Sequence, residues 1–277
     1  MPELPELQAV AERLTSAFGG RALRRVDAFQ FSALKTVDPS PAELAGETLE
    51  GVGRRGKYLV FDFGPRRVLV HLSQGGRLDF EDPPKATKPR GAVARFVFED
   101  GPSLLVKEFG TERKAAWWVL GAGDRGPTEG LGPEPFDEAF AAVVAEAADR
   151  RQLHTWLRDQ KVVAGIGRGF ADDILHTARL SPLRKVATLD AGERAVLLES
   201  VRTVLTEATE RERSRSGGLP TKMGDRFTIH NGFGKPCPRC GDALQHVVYE
   251  SREVVYCPRC QTGGKLLADR VLSQFLK

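Results

Sequence analysis

The residues most able to do chemistry stand at the start of the chain, in Met1-Pro2-Glu3-Leu4-Pro5-Glu6. Removal of Met1 would expose the secondary amine of Pro2 with a carboxylate, Glu3, covalently beside it. An α-amino group titrates near pH ~8, against roughly 10.4 for a lysine, so far more of it is the neutral nucleophile at cellular pH. Such an amine attacks carbonyl carbons. The same residues also suit an ordinary helix start, where proline lacks an N–H that the first turn leaves unbonded and glutamate meets the positive end of the helix dipole. Proline at the second position is small enough for normal removal of Met1, so the mature chain is expected to begin at Pro2.

A second chemical signature lies near the other end, where all four cysteines occur as Cys237-Pro-Arg-Cys240 and Cys257-Pro-Arg-Cys260 with sixteen residues between the pairs. Two such knuckles suit four thiolates around one tetrahedral zinc ion. Disulfides or a redox pair are the alternatives; a cytosolic setting and the lack of a thioredoxin-like βαβ pattern stand against both. The intervening His246 to Tyr256 is rich in β-formers on either side of a polar centre, so a hairpin is expected there. Its tip carries Arg252, a guanidinium that a metal-rigid ribbon could hold against a phosphate. A third candidate is Gly165-Ile-Gly167-Arg168-Gly169, three glycines in five residues before a helix. Such a turn lets backbone N–H groups approach a phosphate, and it equally serves as a plain helix–helix connection.

The elements that must position these residues are legible from periodicity. Leu4, Leu7, Val10, Ala11 and Leu14 follow helical spacing until Gly19-Gly20 ends the run. From Arg21 to about Leu120 short apolar runs broken by Gly, Pro and charge predict strands of a sandwich or barrel: Tyr58–Phe63, Val68–Leu72, Ala94–Phe98 and Leu104–Val106. Gly121 to Pro135, with five Gly and three Pro, reads as a linker. Helical periodicity follows over Phe136–Leu157, Phe170–Ala178 and Ala191 to about Glu210, and Arg211–Arg226 reads as a charged surface loop. The expected organisation is 1–120, 121–135 (linker), 136–226 and 227–277.

The chain of 277 residues is long enough for a substantial core and two or three domains. It has no run of eighteen apolar residues and no cleavable leader pattern, so a soluble cytoplasmic protein with no membrane partner is expected. The net charge of +4 is unevenly spread: residues 211–277 hold 12 Lys/Arg against 6 Asp/Glu, leaving 29 against 31 in the first 210. That asymmetry suggests a polyanion partner, although a basic tail also serves as plain solvated surface.

Taken together, the PELPE start, the β-rich first half, the glycine turn between helices and the terminal four-cysteine ribbon resemble the bacterial formamidopyrimidine-DNA glycosylase and endonuclease VIII family. The resemblance runs in order along essentially the whole chain. It implies an α+β multidomain fold: an N-terminal helix plus β-sandwich, a helix–two-turns–helix domain and a C-terminal zinc-ribbon hairpin holding one structural zinc through Cys237, Cys240, Cys257 and Cys260. It implies a monomer acting on damaged double-stranded DNA, nucleoid-associated when bound, as a bifunctional glycosylase and abasic-site lyase of base-excision repair that removes oxidised bases. In that chemistry Pro2 matches the nucleophile that attacks C1′, Glu3 the acid that protonates the sugar ring oxygen, Glu6 a supporting carboxylate and Lys57 a phosphate-binding lysine. Arg252 matches the phosphate-gripping arginine of the ribbon tip. Several positions depart from the family pattern. Arg168 stands where Asn is usual, Gln74 where a void-filling Met is usual and, within Glu112-Arg113-Lys114, Glu112 where an orphan-base arginine and Lys114 where a wedge phenylalanine is usual. A polar trio replaces lost base stacking poorly, so discrimination of the opposite base is expected to be weaker or different. The alternative is a catalytically impaired protein that binds lesions or bent DNA on the same scaffold.

Overall fold

A computed structural model describes residues 1–110, 113–215, 226–249 and 252–267, without the side chains of residues 249 and 252. The chain divides into two compact units. The first holds Met1–Gly130 with the described part of Arg211–Thr221, and the second Leu131–Glu210 with the described part of Lys222–Lys277.

The first unit begins with helix α1 (Leu4–Phe18). Its start is fixed by a reciprocal capping box: the Glu3 carboxylate accepts from the Glu6 N–H, and the Glu3 N–H donates to Glu6 Oε2 at 2.7 Å. Leu7, Val10, Ala11, Leu14 and Phe18 form its buried stripe. Eight strands follow: β1 (Leu23–Ala28), β2 (Gly51–Arg55), β3 (Tyr58–Asp62), β4 (Arg67–His71), β5 (Gly76–Glu81), β6 (Ala92–Phe98), β7 (Ser103–Glu108) and β8 (Ala116–Leu120). They make two antiparallel sheets, ordered β1-β6-β7-β5 and β2-β3-β4-β8. One core joins both: Phe61 stacks on Phe96 at 5.8 Å between ring centroids, and Trp117 meets Phe96 edge-on at 5.9 Å. The four strands expected from apolar runs are β3, β4, β6 and β7. Strands β1, β2 and β5 were hidden because polar residues interrupt them, as in Leu23-Arg-Arg-Val-Asp-Ala and Gly51-Val-Gly-Arg-Arg. The fourth, β8, is an apolar run, Ala116-Trp-Trp-Val-Leu120, set between a charged stretch and the glycine-rich linker.

The register of these sheets brings three connections to one edge. β4 ends at His71 opposite Ala116, the first residue of β8, while β5 begins at Gly76 opposite Glu108, the last residue of β7. The β4–β5 and β7–β8 connections therefore cross between sheets side by side. Tyr58, which follows Lys57 in the β2–β3 turn, lies 4.9 Å from the His71 ring. The turn carrying Lys57 is thus at the same edge.

The second unit is helical with a terminal hairpin: α2 (Glu138–Glu146), α3 (Leu153–Leu157), α4 (Arg168–Thr177), α5 (Ala191–Ser214, its last turn in the first unit), β9 (Gln245–Tyr249), β10 (Arg252–Tyr256) and α6 (Pro258–Thr262). The single helix expected over Phe136–Leu157 is broken. Arg194 donates to the carbonyls of Val144 and Ala147, closing α2, and the Ala187 and Val186 N–H groups bond the Asp149 and Arg151 carbonyls instead of leaving them to a helix. Helix α5 also runs four residues into the expected 211–226 loop. Within the first unit, Arg13 donates to the Glu212 and Arg215 carbonyls at 2.5 Å each, and Arg213 pairs with Glu12 at 2.6 Å. Residues 216–225 lie outside the described residues. No described helix is long and apolar enough to cross a membrane.

Candidate active site, neighbouring loops and zinc centre

Pro2, Glu3 and Glu6 are all buried, so the N-terminus of α1 is an enclosed site rather than a frayed end. The capping box holds both carboxylates, Glu3 at the helix cap and Glu6 one turn inside. Lys57 is also buried, at 7% exposure, on a turn whose Gly56 carbonyl accepts from Arg54 at 3.1 Å. Arg54 in turn donates to Gln8 of α1 at 3.3 Å, tying the lysine turn to the helix. His71 completes the group and was not among the residues expected from sequence. Burial pushes its pKa down to about 4, and the positive charges of Lys57 and of the Met1 amine push in the same direction. A neutral imidazole and a lysine are therefore neighbours in the electrostatic sense. Met1 itself is 39% exposed, and while it is attached the Pro2 nitrogen is an amide.

At the neighbouring edge the β4–β5 turn exposes Gln74. A Cβ on Gly75 would fall 2.0 Å from the Phe109 carbonyl oxygen, so glycine is what lets the two connections touch. There the Phe109 N–H donates to the Gly75 carbonyl at 2.9 Å. The far leg is pinned by Glu108, whose Oε1 accepts from the Lys114 and Ala115 N–H groups at 2.6 and 2.7 Å. Arg113 and Lys114 are exposed as expected, whereas Glu112 lies outside the described residues. A further residue emerges here. Phe109 is 51% exposed on this pinned connection, with Lys107 Nζ 6.0 Å from its ring centroid. A lone Phe beside Gly110 in an otherwise charged stretch was the available sequence signal.

In the second unit Arg168 is the first residue of α4, after the cap Gly167. Gln160 shapes the turn before it, donating to the Ile166 carbonyl at 2.7 Å and accepting from the Gly165 N–H at 2.9 Å. Gly169 is needed for packing, because a Cβ there would lie 2.2 Å from the Phe227 ring. Asp173 of α4 accepts from the Thr228, Ile229 and His230 N–H groups at 2.7, 2.8 and 3.4 Å. Burial pushes its pKa up to about 6 even so. Asp172 Oδ2 meets His230 Nδ1 at 2.6 Å. The two aspartates fasten the chain that leads to the cysteines.

The four cysteine Sγ atoms lie within 4.8 Å of one another. Cys240–Cys257 and Cys237–Cys260 are 3.4 and 3.9 Å apart, close to the about 3.8 Å that tetrahedral Zn–S bonds of about 2.3 Å require. Burial raises the Cys257 and Cys260 thiol pKa values, so a soft dication is what would hold these sulfurs as thiolates. The donors fit one structural zinc ion. Opposite them, β9 and β10 form the expected hairpin, with Arg252 paired to Tyr249 at the innermost described position.

Comparison with known proteins agrees with this architecture segment by segment. Residues 1–111 match the N-terminal domain of formamidopyrimidine-DNA glycosylase, 131–217 its H2TH domain and 234–263 the zinc finger found in FPG and IleRS. The formamidopyrimidine-DNA glycosylase of Symbiobacterium thermophilum is 35% identical over 276 residues, covering 94% of this chain and 89% of that one. That of Laribacter hongkongensis is 34% identical over 277 residues, covering 94% and 100%. Among solved structures, the MutM (Fpg) protein from Thermus thermophilus superposes with a TM-score of 0.80 at 31% identity, covering 94% and 98%. The Lactococcus lactis enzyme bound non-covalently to DNA containing an AP site gives 0.81 at 25% identity, covering 94% and 99%. Three successive domain matches and relatives above 30% identity along the full alignment show that the chain belongs to the formamidopyrimidine-DNA glycosylase family.

Proposed function

We propose that this protein is a base-excision-repair glycosylase and abasic-site lyase that removes oxidised bases from duplex DNA through the amine of Pro2. The observation that carries this reading is the enclosed N-terminus of α1, where Pro2 is buried, Glu3 and Glu6 are locked by mutual capping, and the charge of the buried Lys57 bears on His71. In the proposed reaction the Pro2 nitrogen forms a bond to C1′ as the bond from C1′ to the base breaks. Glu3 protonates the ring oxygen, and the sugar opens to an iminium. Because proline is a secondary amine, that iminium carries a fixed positive charge. It acidifies the C2′ proton, whose loss expels the 3′ phosphate; a second elimination at the 5′ phosphate follows, and water releases Pro2.

Removal of Met1 is a requirement of this chemistry, since an acylated proline nitrogen has no available lone pair. Lys57, Arg113, Lys114, Arg168 and Arg252 supply the cations for a kinked backbone, and Gln74 the polar filler for the space left by an extruded nucleotide. The zinc ion, held by the four cysteines, supplies rigidity to the hairpin that carries Arg252 and takes no part in the covalent steps.

Borohydride trapping on an oligonucleotide with one abasic site tests the reading. Protein with a free Pro2 should cross-link, Pro2→Gly should trap far less, and Glu3→Gln should impair release of an oxidised base more than it impairs trapping at a ready-made abasic site. Absence of any cross-link, with tight binding to the same duplex, would favour the non-catalytic lesion-binding alternative, which the departures at Arg168 and Lys114 also suit.

A further inference from the structure

The cysteine centre is fastened to helix α4 by reciprocal contacts that the four-cysteine motif does not require. His176, in the last turn of α4 and 3% exposed, places Nε2 3.2 Å from Cys237 Sγ. In the opposite direction Arg239, between the first two cysteines, donates to the His176 carbonyl at 2.8 Å. Gln261 supplies another tie: its side chain accepts from the Cys257 N–H at 2.8 Å and donates to the Leu180 carbonyl at 2.9 Å. The imidazole is therefore held from both sides of the contact, by its own helix and by the knuckle.

A zinc-bound thiolate carries lone pairs and no proton, so a ring nitrogen at this distance can be satisfied only as a donor. The four sulfurs already match a closed tetrahedral set, so a fifth ligand has no role to fill. We infer that His176 is a positioning residue for the zinc centre: its Nε2–H donates to the Cys237 thiolate and thereby sets how tightly zinc is retained and how reactive that sulfur is. The physical reason is charge. Four thiolates around one dication leave two negative charges in a largely buried centre, and a hydrogen bond withdraws electron density from one sulfur, lowering both its repulsion of the others and its nucleophilicity. The inference concerns the metal centre alone and stands apart from the proposed DNA chemistry.

Zinc-loaded full-length protein provides the test, with His176→Phe removing the donor at similar ring volume and His176→Gln retaining a side-chain N–H. Zinc transfer to a chromophoric chelator should be roughly 10- to 100-fold faster for His176→Phe, and slower for His176→Gln than for the phenylalanine variant. In cobalt-substituted samples all three proteins should keep a four-thiolate ligand-field spectrum. The sulfur-to-cobalt charge-transfer band should move to lower energy only where the donor is lost or weakened. A His176→Phe protein with wild-type transfer rate and an unmoved band would overturn the inference. So would a cobalt spectrum showing a nitrogen ligand that disappears in the variant, because His176 would then be a ligand. Should His176→Phe fail to fold, the band position in His176→Gln against wild type still decides, since an amide donor is weaker than imidazole and the band must shift in the same direction.

Discussion

At the scale of single residues, the centre at the start of α1 is defined by which groups are charged. Burial, the largest cause, pushes the folded-state pKa of His71 down to about 4 from an ordinary 6.5, and the cations Lys57 and the Met1 amine add to it. A base whose pKa is depressed by folding contributes stability that is complete above the unfolded value. That contribution is lost as pH falls from about 6.5 towards 4, where the unfolded chain takes up the proton first. Chemical denaturation across this window should therefore show a steeper acid loss in wild type than in His71→Gln, whose neutral amide does not titrate. Equal slopes in the two proteins would mean that His71 is not held neutral. A neutral imidazole thus adds no positive charge to the enclosed N-terminus of α1.

Among elements, α4 does most of the organising in the second unit. Its second residue, Gly169, faces the Phe227 ring, and Phe227 also packs edge-on against Phe170 at 5.1 Å. Gly169→Ala would put a methyl group 2.2 Å from that ring, so Phe227 must move, and with it the 228–230 backbone that Asp173 holds. Overpacking of this kind costs about 1–3 kcal/mol, despite alanine's higher helix propensity, and thermal unfolding of the variant should show the loss. The sequence revealed α4 and the glycine turn but not this reason for Gly169, because its partner lies 58 residues away. The same limit explains His71, Phe109 and His176: each acquires its role from a neighbour on another element. The cysteine pairs, by contrast, were legible because their chemistry is local, in fixed short spacing, and Pro2-Glu3 is a candidate for the same reason, as adjacent residues. Strands β1, β2 and β5 were missed for a related reason. Their polar side chains are accommodated by solvent and by partners on other strands, such as Lys107 of β7 for Asp79 of β5, so no apolar run marks them.

For the whole molecule, binding to a polyanion separates into a charge part and a stacking part. The excess of Lys/Arg in residues 211–277 and the exposed Arg113 and Lys114 belong to the first. Each side chain that neutralises one phosphate of B-form DNA contributes about 0.9 to the slope of log affinity against log salt concentration. Arg252→Ala should thus weaken binding to damaged and undamaged duplexes alike and lower that slope by about 1. Phe109 is the candidate for the second part, being an exposed ring on a connection pinned at both legs, next to the Gln74-Gly75 turn. Aromatic stacking on a base contributes about 1–3 kcal/mol, roughly 5- to 150-fold in affinity, and involves no counterion. Phe109→Ala should therefore weaken binding to a duplex holding a stable abasic-site analogue by a factor in that range, with the salt slope unchanged. Titrations at several salt concentrations distinguish the two variants in one experiment. Loss of slope in Phe109→Ala would show that it disturbs charge contacts instead of removing a stacking surface, and equal affinity would overturn the stacking role of Phe109.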